Sequence, residues 1–200
     1  MSLEFLNTLG TLATTVVVGA AAVAALIQLR HLRAGNQINV QLAIGENYYG
    51  PDFMQELNLI RSTLPVIIED PKFRAYVAAF VRGVLPPLTV PPDYVELGRS
   101  AVSICNTNED LSMLVKNGII DRRIFLERYS ATLIRQWTLL EKFIGFVRAV
   151  GGGAFAWENF ELLVVLSQDW KSRHQAGQYP RGVRRLEPHN PWPIPAATST

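Results

Sequence analysis

Leu9–Leu29 reads LGTLATTVVVGAAAVAALIQL, inside a longer run, Phe5–Leu29, of 25 residues without a charge. Arg30, His31 and Arg33 follow at once. Crossing about 30 Å of hydrocarbon takes about 20 apolar residues in a helix, because each residue rises only ~1.5 Å. The stretch meets that length. Its polar members are Thr11, Thr14, Thr15 and Gln28. A threonine hydroxyl can bond the preceding helical turn, so it need not sit unsatisfied in lipid. A buried core helix seldom needs so long an uncharged run. A cleaved signal peptide would open on basic residues, whereas Met1–Glu4 carries only an acid. The sequence therefore predicts an N-terminal transmembrane anchor over 1–30.

The flanks predict its direction. Lys and Arg resist translocation, and they lie on the C-terminal side of the span. The expectation is a single-pass protein of the inner (plasma) membrane, N-terminus outside, C-terminal domain cytoplasmic. The single cysteine, Cys105, agrees, since a secreted domain of this size often carries paired cysteines. A formal net charge of +2 is too small to point to nucleic acid.

Beyond the span the pattern is helical throughout. Leu29, Leu32, Ile38, Leu42 and Ile44 continue the anchor to about Tyr48, with Gly35 as a candidate bend and Gly50-Pro51 as the end. Asp52 is expected to cap a short helix carrying Phe53, Leu57 and Ile60, broken near Pro65. Asp70-Pro71 is a start signal for a helix with Phe73, Tyr76, Val77, Phe80 and Val81 on one stripe. Gly83 and Pro86-Pro87 end it, and Leu85–Pro92 reads as a stiff connector. Asp93 is expected to begin the next helix, closed by Asn117-Gly118. Asp121 caps the longest helix of the domain, which presents Phe125, Leu133, Trp137, Leu140, Ile144 and Val147 and ends at Gly151–Gly153. A last helix over about Phe155–His174 presents Trp157, Phe160, Leu163, Val164 and Trp170. The fold class is all-α: one transmembrane helix, then a cytosolic bundle of about five helices over 31–176. The tail 177–200 holds many prolines and no apolar stripe, so it should be mobile, with Trp192 as its one large anchor.

Side chains that could carry chemistry are few. His31, His174 and His189 have no second ligand at metal spacing. Cys105 reads as a small buried hydrophobe. Gly151–Gly153 follows a helix and lacks the lysine and hydroxyl of a phosphate loop, so it reads as a turn. The polar set Asn106, Asn108, Glu109 and Asp110, with Arg135, Arg148, Glu158 and Glu161, has members near apolar faces. It reads as a paired network that sets helix register, or as a small-molecule pocket around Glu109, Arg148 and Glu158. Arg181, Arg184 and Arg185 suit a solvated tail or an anionic leaflet. Within the span, Thr11, Thr15 and Gly19, and separately Ala20 and Ala24, recur at four-residue spacing, which permits a homo-oligomer.

The segments NEDLSMLVKNGIID (108–121), IRQWTLLEKFIGFVRA (134–149) and WENFELLVVL (157–166), with IQLRHLRAGNQINVQLAIGE (27–46), carry a likeness. Their helix lengths, with Trp137 and Arg148 in the long helix, resemble a family of uncharacterised bacterial proteins. The resemblance implies one N-terminal span, a basic flank and a small helical cytosolic domain, and it implies no activity. With no catalytic, cofactor or metal motif, the expected function is a non-enzymatic, membrane-anchored interaction or sensing module. Its expected partners are the lipid bilayer, a second copy through the span, or a protein, and not nucleic acid. The alternative is a sensor or hydrolase using the polar pocket.

Overall fold

The computed structural model describes residues 3–86, 89–175, 177, 179–180 and 182–187. Among them there is no strand. Six α-helices follow in order: α1 (Leu3–Tyr49), α2 (Pro51–Ile67), α3 (Pro71–Arg82), α4 (Pro92–Lys116), α5 (Arg122–Val147) and α6 (Glu158–Arg173). A π-helical turn, Arg148–Gly152, extends α5.

The first helix is 47 residues long and unbroken. The helix runs through Gly35 without interruption. One glycine costs about 1 kcal/mol in a helix, too little to interrupt one of this length. Among the described residues α1 holds the one stretch, Gly10–Leu32, long and apolar enough to cross a membrane. None of its most apolar window is buried in the protein. The threonine hydroxyls are satisfied as expected: Thr11, Thr14 and Thr15 donate to the carbonyls of Asn7, Gly10 and Thr11, each at 2.9 Å. The other end of the same helix is core: Ile44 and Tyr48 are buried.

Two caps differ from expectation. Gly50 and Pro91 occupy the N-cap positions of α2 and α4, and neither Asp52 nor Asp93 caps its helix. A proline follows each N-cap, its fixed φ already helical and its missing N–H one that would be orphaned anyway. The aspartates sit one residue later, where a carboxylate favours the positive helix end. Pro65 lies inside α2, two residues from its end, so the backbone bond it removes is near the fraying terminus. Asp70 and Asp121 cap as expected, accepting from the amides of Lys72 (2.7 Å) and Ile124 (2.9 Å). Gly83 ends α3 in the left-handed conformation, φ 67°. The connector after it is helix-free where described, and Pro87 and Leu88 lie outside the described residues.

Asp70 also joins two helices. Its second oxygen accepts from the Tyr94 hydroxyl at 2.6 Å. That bond, and then the Lys72 amide, hold its carboxyl below the usual range. A depressed carboxyl pKa contributes stability above the unfolded value of about 3.9, lost as pH falls through the folded pKa. Asp70→Asn should therefore melt lower than the native chain at pH 7, with the gap closing below about pH 4. A gap that stays constant to pH 2 would remove Asp70 from the acid response.

The core gathers side chains from all six α-helices, α1 contributing only its last turns. Ile60, Phe73, Ile104, Leu133, Leu140 and Phe160 are fully buried. Trp137 and Phe80, expected on apolar stripes, are less enclosed: Trp137 packs half-buried over Phe160, and Phe80 is 60% exposed. Among the described residues Gln136 is buried with neither Oε1 nor Nε2 hydrogen-bonded. An orphaned buried polar group costs about 1–3 kcal/mol. Gln136→Leu, similar in size and free of that cost, should raise the melting temperature. A fall would show that the amide has a role the packing conceals.

Candidate functional site

The polar residues concentrate where α5 gives way to α6. The π-helical turn needs glycine: Gly151 has φ 124°, and a Cβ on Gly152 would lie 2.8 Å from the Val147 carbonyl oxygen. The Gly151–Gly153 break is thus a turn, as its sequence suggested. Arg82 reaches across from α3 to donate to the Val150 carbonyl at 3.0 Å. Residues 154–157 make a further tight turn. Trp157 then sits in the left-handed region, φ 56°, as the N-cap of α6, with no side-chain cap of its own. Helix α6 starts at Glu158, three residues later than expected, because this turn consumes Phe155–Trp157.

A helix start without its own cap leaves backbone N–H groups without partners. Here another helix supplies them. Glu109 of α4 accepts from the Phe160 amide (2.9 Å), the Asn159 amide (3.3 Å) and the Asn159 side chain (2.6 Å). Its carboxylate lies against the positive end of α6. One turn of α4 earlier, Asn106 accepts from the Trp157 indole N–H at 2.8 Å. Arg148 holds the other side of the turn. Its Nε and Nη2 donate to the Ala156 carbonyl at 3.0 and 2.8 Å, and its Nη1 pairs with Glu161 at 2.7 Å. Lys116 adds a bond to Asn159 at 2.8 Å.

Of the eight polar residues singled out from sequence, this network takes Asn106, Glu109, Arg148 and Glu161. Asn108 faces the opposite way and is completely buried. It accepts from the Tyr48 hydroxyl and donates to the Ile104 carbonyl at 2.9 Å. The Tyr48 ring also stacks on Phe53 and meets Tyr129 at a tilt, at 5.1 and 5.4 Å between centroids. The tip of α1 is thus seated in the bundle by one buried polar bond and two rings. Asp110 and Glu158 are exposed, Asp110 on a cleft shared with Glu46, Asp52 and Glu56. Arg135 is exposed and makes one long contact to Thr132, 3.5 Å. Glu109 and Arg148 both engage residues at the start of α6, beside the exposed Glu158, and among the described residues no hydrogen bond or ion pair joins the three. Both Glu109 oxygens are engaged by α6, Arg148 is engaged by Ala156 and Glu161, and the apolar cleft beside Trp157 contains none of the three. The Tyr48–Asn108 bond was missed from sequence, because its partners lie 60 positions apart.

Cys105 is fully buried, and burial, with the Glu109 charge second, pushes its thiol up, away from a reactive thiolate. The His174 ring stacks on Trp170 and its Nδ1 lies 2.8 Å from the Trp170 carbonyl. His31 is exposed, and Arg181, His189 and Trp192 lie outside the described residues. No three His, Cys, Asp or Glu side chains are placed to hold a metal ion among the described residues.

A family model described as a domain of unknown function, DUF4760, matches residues 15–170. The chain belongs to this family. It is an uncharacterised family, as the sequence resemblance implied. The match begins within the apolar half of α1 and ends in α6, so the DUF4760 region includes the helix tip, the Asn108 seat and the Glu109–Arg148 network. No curated protein and no solved structure matches the chain. Glu109→Ala in this DUF4760 protein should leave the Phe160 amide without its acceptor and cost about 1–3 kcal/mol, read by thermal melting. An unchanged melt would mean that water replaces the carboxylate freely.

Proposed function

We propose that this DUF4760 protein is a single-pass protein of the inner (plasma) membrane, N-terminus outside, whose helical domain is a cytoplasmic, non-enzymatic interaction or sensing module. The observation that carries the proposal is the continuity of α1. One helix exposes an apolar stretch over Gly10–Leu32 and buries Ile44 and Tyr48 in the bundle. From Leu32 to Ile44 it rises about 18 Å at 1.5 Å per residue, so span and domain are joined by a short helical stalk. In water the exposed valines and leucines of that stretch would cost far more than a bilayer requires. The Arg30 flank supports the cytoplasmic side.

The stalk also supports a role in relaying contact. Tyr48 bonds Asn108, and the next residue, Glu109, holds the start of α6. A displacement of the stalk therefore acts on the polar network through adjacent residues of α4. Partners in this reading are the bilayer, a second copy meeting the span through Thr11, Thr15 and Gly19, and a cytoplasmic protein. Alkaline carbonate should leave the chain in the membrane pellet, and a reporter fused after Thr200 should be active only in its cytoplasmic form. Carbonate release would overturn the anchor, and periplasmic activity would overturn the orientation. Crosslinking in native membranes should recover a partner. Recovery of none, with thermal stabilisation by a small molecule that Arg148→Gln abolishes without unfolding, would favour a ligand-binding sensor instead.

A further inference from the structure

Between α3, α4, the end of α5 and Trp157 lies an open cleft of about 200 Å³. Two pairs of rings wall it: Tyr76 with Phe80, centroids 6.3 Å apart, and Phe143 with Trp157, 6.1 Å apart. Gly98 makes room on the α4 side: a Cβ there would fall 2.9 Å from Tyr76 Cε1, so its absence lets the Tyr76 ring lie against the helix. Sites for drug-sized ligands run about 300–1,000 Å³, so this smaller cleft suits one ring with a short arm. The polar groups around it are donors. No carboxylate lines it. The Trp157 indole N–H is already given to Asn106. The Tyr76 hydroxyl has no hydrogen-bond partner among the described residues; burial pushes its pKa up, so it stays protonated and able to donate, while the nearby Arg99 charge acts in the opposite sense. Arg99, exposed and next to Gly98 on α4, makes no ion pair among the described residues. Arg82, also exposed, follows the lining residue Val81 and lies beside Gly151, with its Nε on the Val150 carbonyl at 3.0 Å.

A phenol donor and two guanidinium groups beside an aromatic cleft select an anion with an apolar body. Rings prefer ring partners, offset or edge-on, and a guanidinium fork matches the two oxygens of a carboxylate. A cationic ligand would meet two like charges and no acid in the lining. We propose that this cleft is a binding site for a small aryl carboxylate, its ring among Tyr76, Phe80, Phe143 and Trp157 and its carboxylate on the Tyr76 hydroxyl and Arg99. The site deepens the sensing reading. Trp157 is both a wall of the cleft and the N-cap of α6, whose start Glu109 holds, so an occupied cleft acts on the polar network. Only that link rests on the sensing reading. The binding does not, and its test can fail while the membrane and crosslinking tests hold.

The test titrates 3-phenylpropanoate into the full chain in lipid nanodiscs and follows the heat, with empty nanodiscs as the blank and the neutral 3-phenylpropanamide as the control. A Kd of about 1 mM or below is expected for the acid, in keeping with a ligand of about ten heavy atoms. Arg99→Gln should weaken the acid about two- to fivefold, the range of an exposed ion pair, and leave the amide unchanged. Phe80→Asp should weaken the acid about tenfold or more, because a carboxylate at the lip repels the ligand's own and is itself desolvated beside the ring. Both positions are exposed, so the fold should persist by circular dichroism. Heat no greater than that of empty nanodiscs, equal binding of acid and amide, or binding that neither variant changes would overturn the proposal. So would tighter binding of a peptide ending in a free phenylalanine carboxylate, which would assign the cleft to a protein C-terminus.

Discussion

Phe160→Ala is expected to destabilise the helical domain by about 3–5 kcal/mol, the usual cost of deleting a buried phenylalanine ring. Three observations place it at that end of the scale. The ring is fully buried between α4, α5 and α6. It meets Trp137 edge-to-face at 5.2 Å, an arrangement that adds to area burial. Its own amide is bonded by Glu109, so the backbone cannot readily slide to close the cavity. For a chain of this size each kcal/mol shifts Tm by about 2–4 °C, so a fall of roughly 10 °C should be seen in circular dichroism melts of the full chain in detergent. Trp137→Ala should cost less, because that ring is only half-buried. If Trp137→Ala proves the more damaging of the two, the assignment of the α5–α6 core is wrong.

Ala21→Arg should abolish stable membrane integration. Residue 21 lies at the middle of Gly10–Leu32 and is exposed along the whole stretch. An arginine at the centre of a spanning helix costs about 2.5–3.5 kcal/mol on insertion scales, or roughly a hundredfold in partition. No acid within the stretch can pair with it. Fractionation after alkaline carbonate should move the variant from pellet to supernatant or to degradation, while Ala21→Leu stays in the pellet. Equal retention of both variants would mean that α1 is held by protein contact and not by lipid. The bundle end of α1 is 27 residues away at Tyr48, so neither substitution touches the core.

Residue pattern alone made much of the secondary structure legible. Asp70-Pro71, Asp121, Gly83 and Gly151–Gly153 act locally, through caps and backbone conformations that depend on near neighbours in the chain. Asp52 and Asp93 misled because a carboxylate near a helix start can cap it or merely sit in its first turn. The proline one residue earlier decides between the two. Phe80 fell on an apolar stripe yet stands at the lip of a cleft. Helical periodicity reports which face a residue occupies and not how far the neighbouring helix extends over it.

What the sequence by itself determined was the existence of an apolar helix of spanning length and of helices rather than strands in the described remainder. Those follow from composition and from the 3.6-residue period, both of which are short-range. What only the tertiary structure decided was the use of the polar residues. Asn106, Asn108 and Glu109 are near neighbours in sequence, but helix geometry sends Asn108 into the core toward Tyr48 and turns Glu109 onto the start of α6. Those partners lie 60 and 51 positions away. Most buried polar groups find a partner where packing places one, so their roles are set by which helices meet.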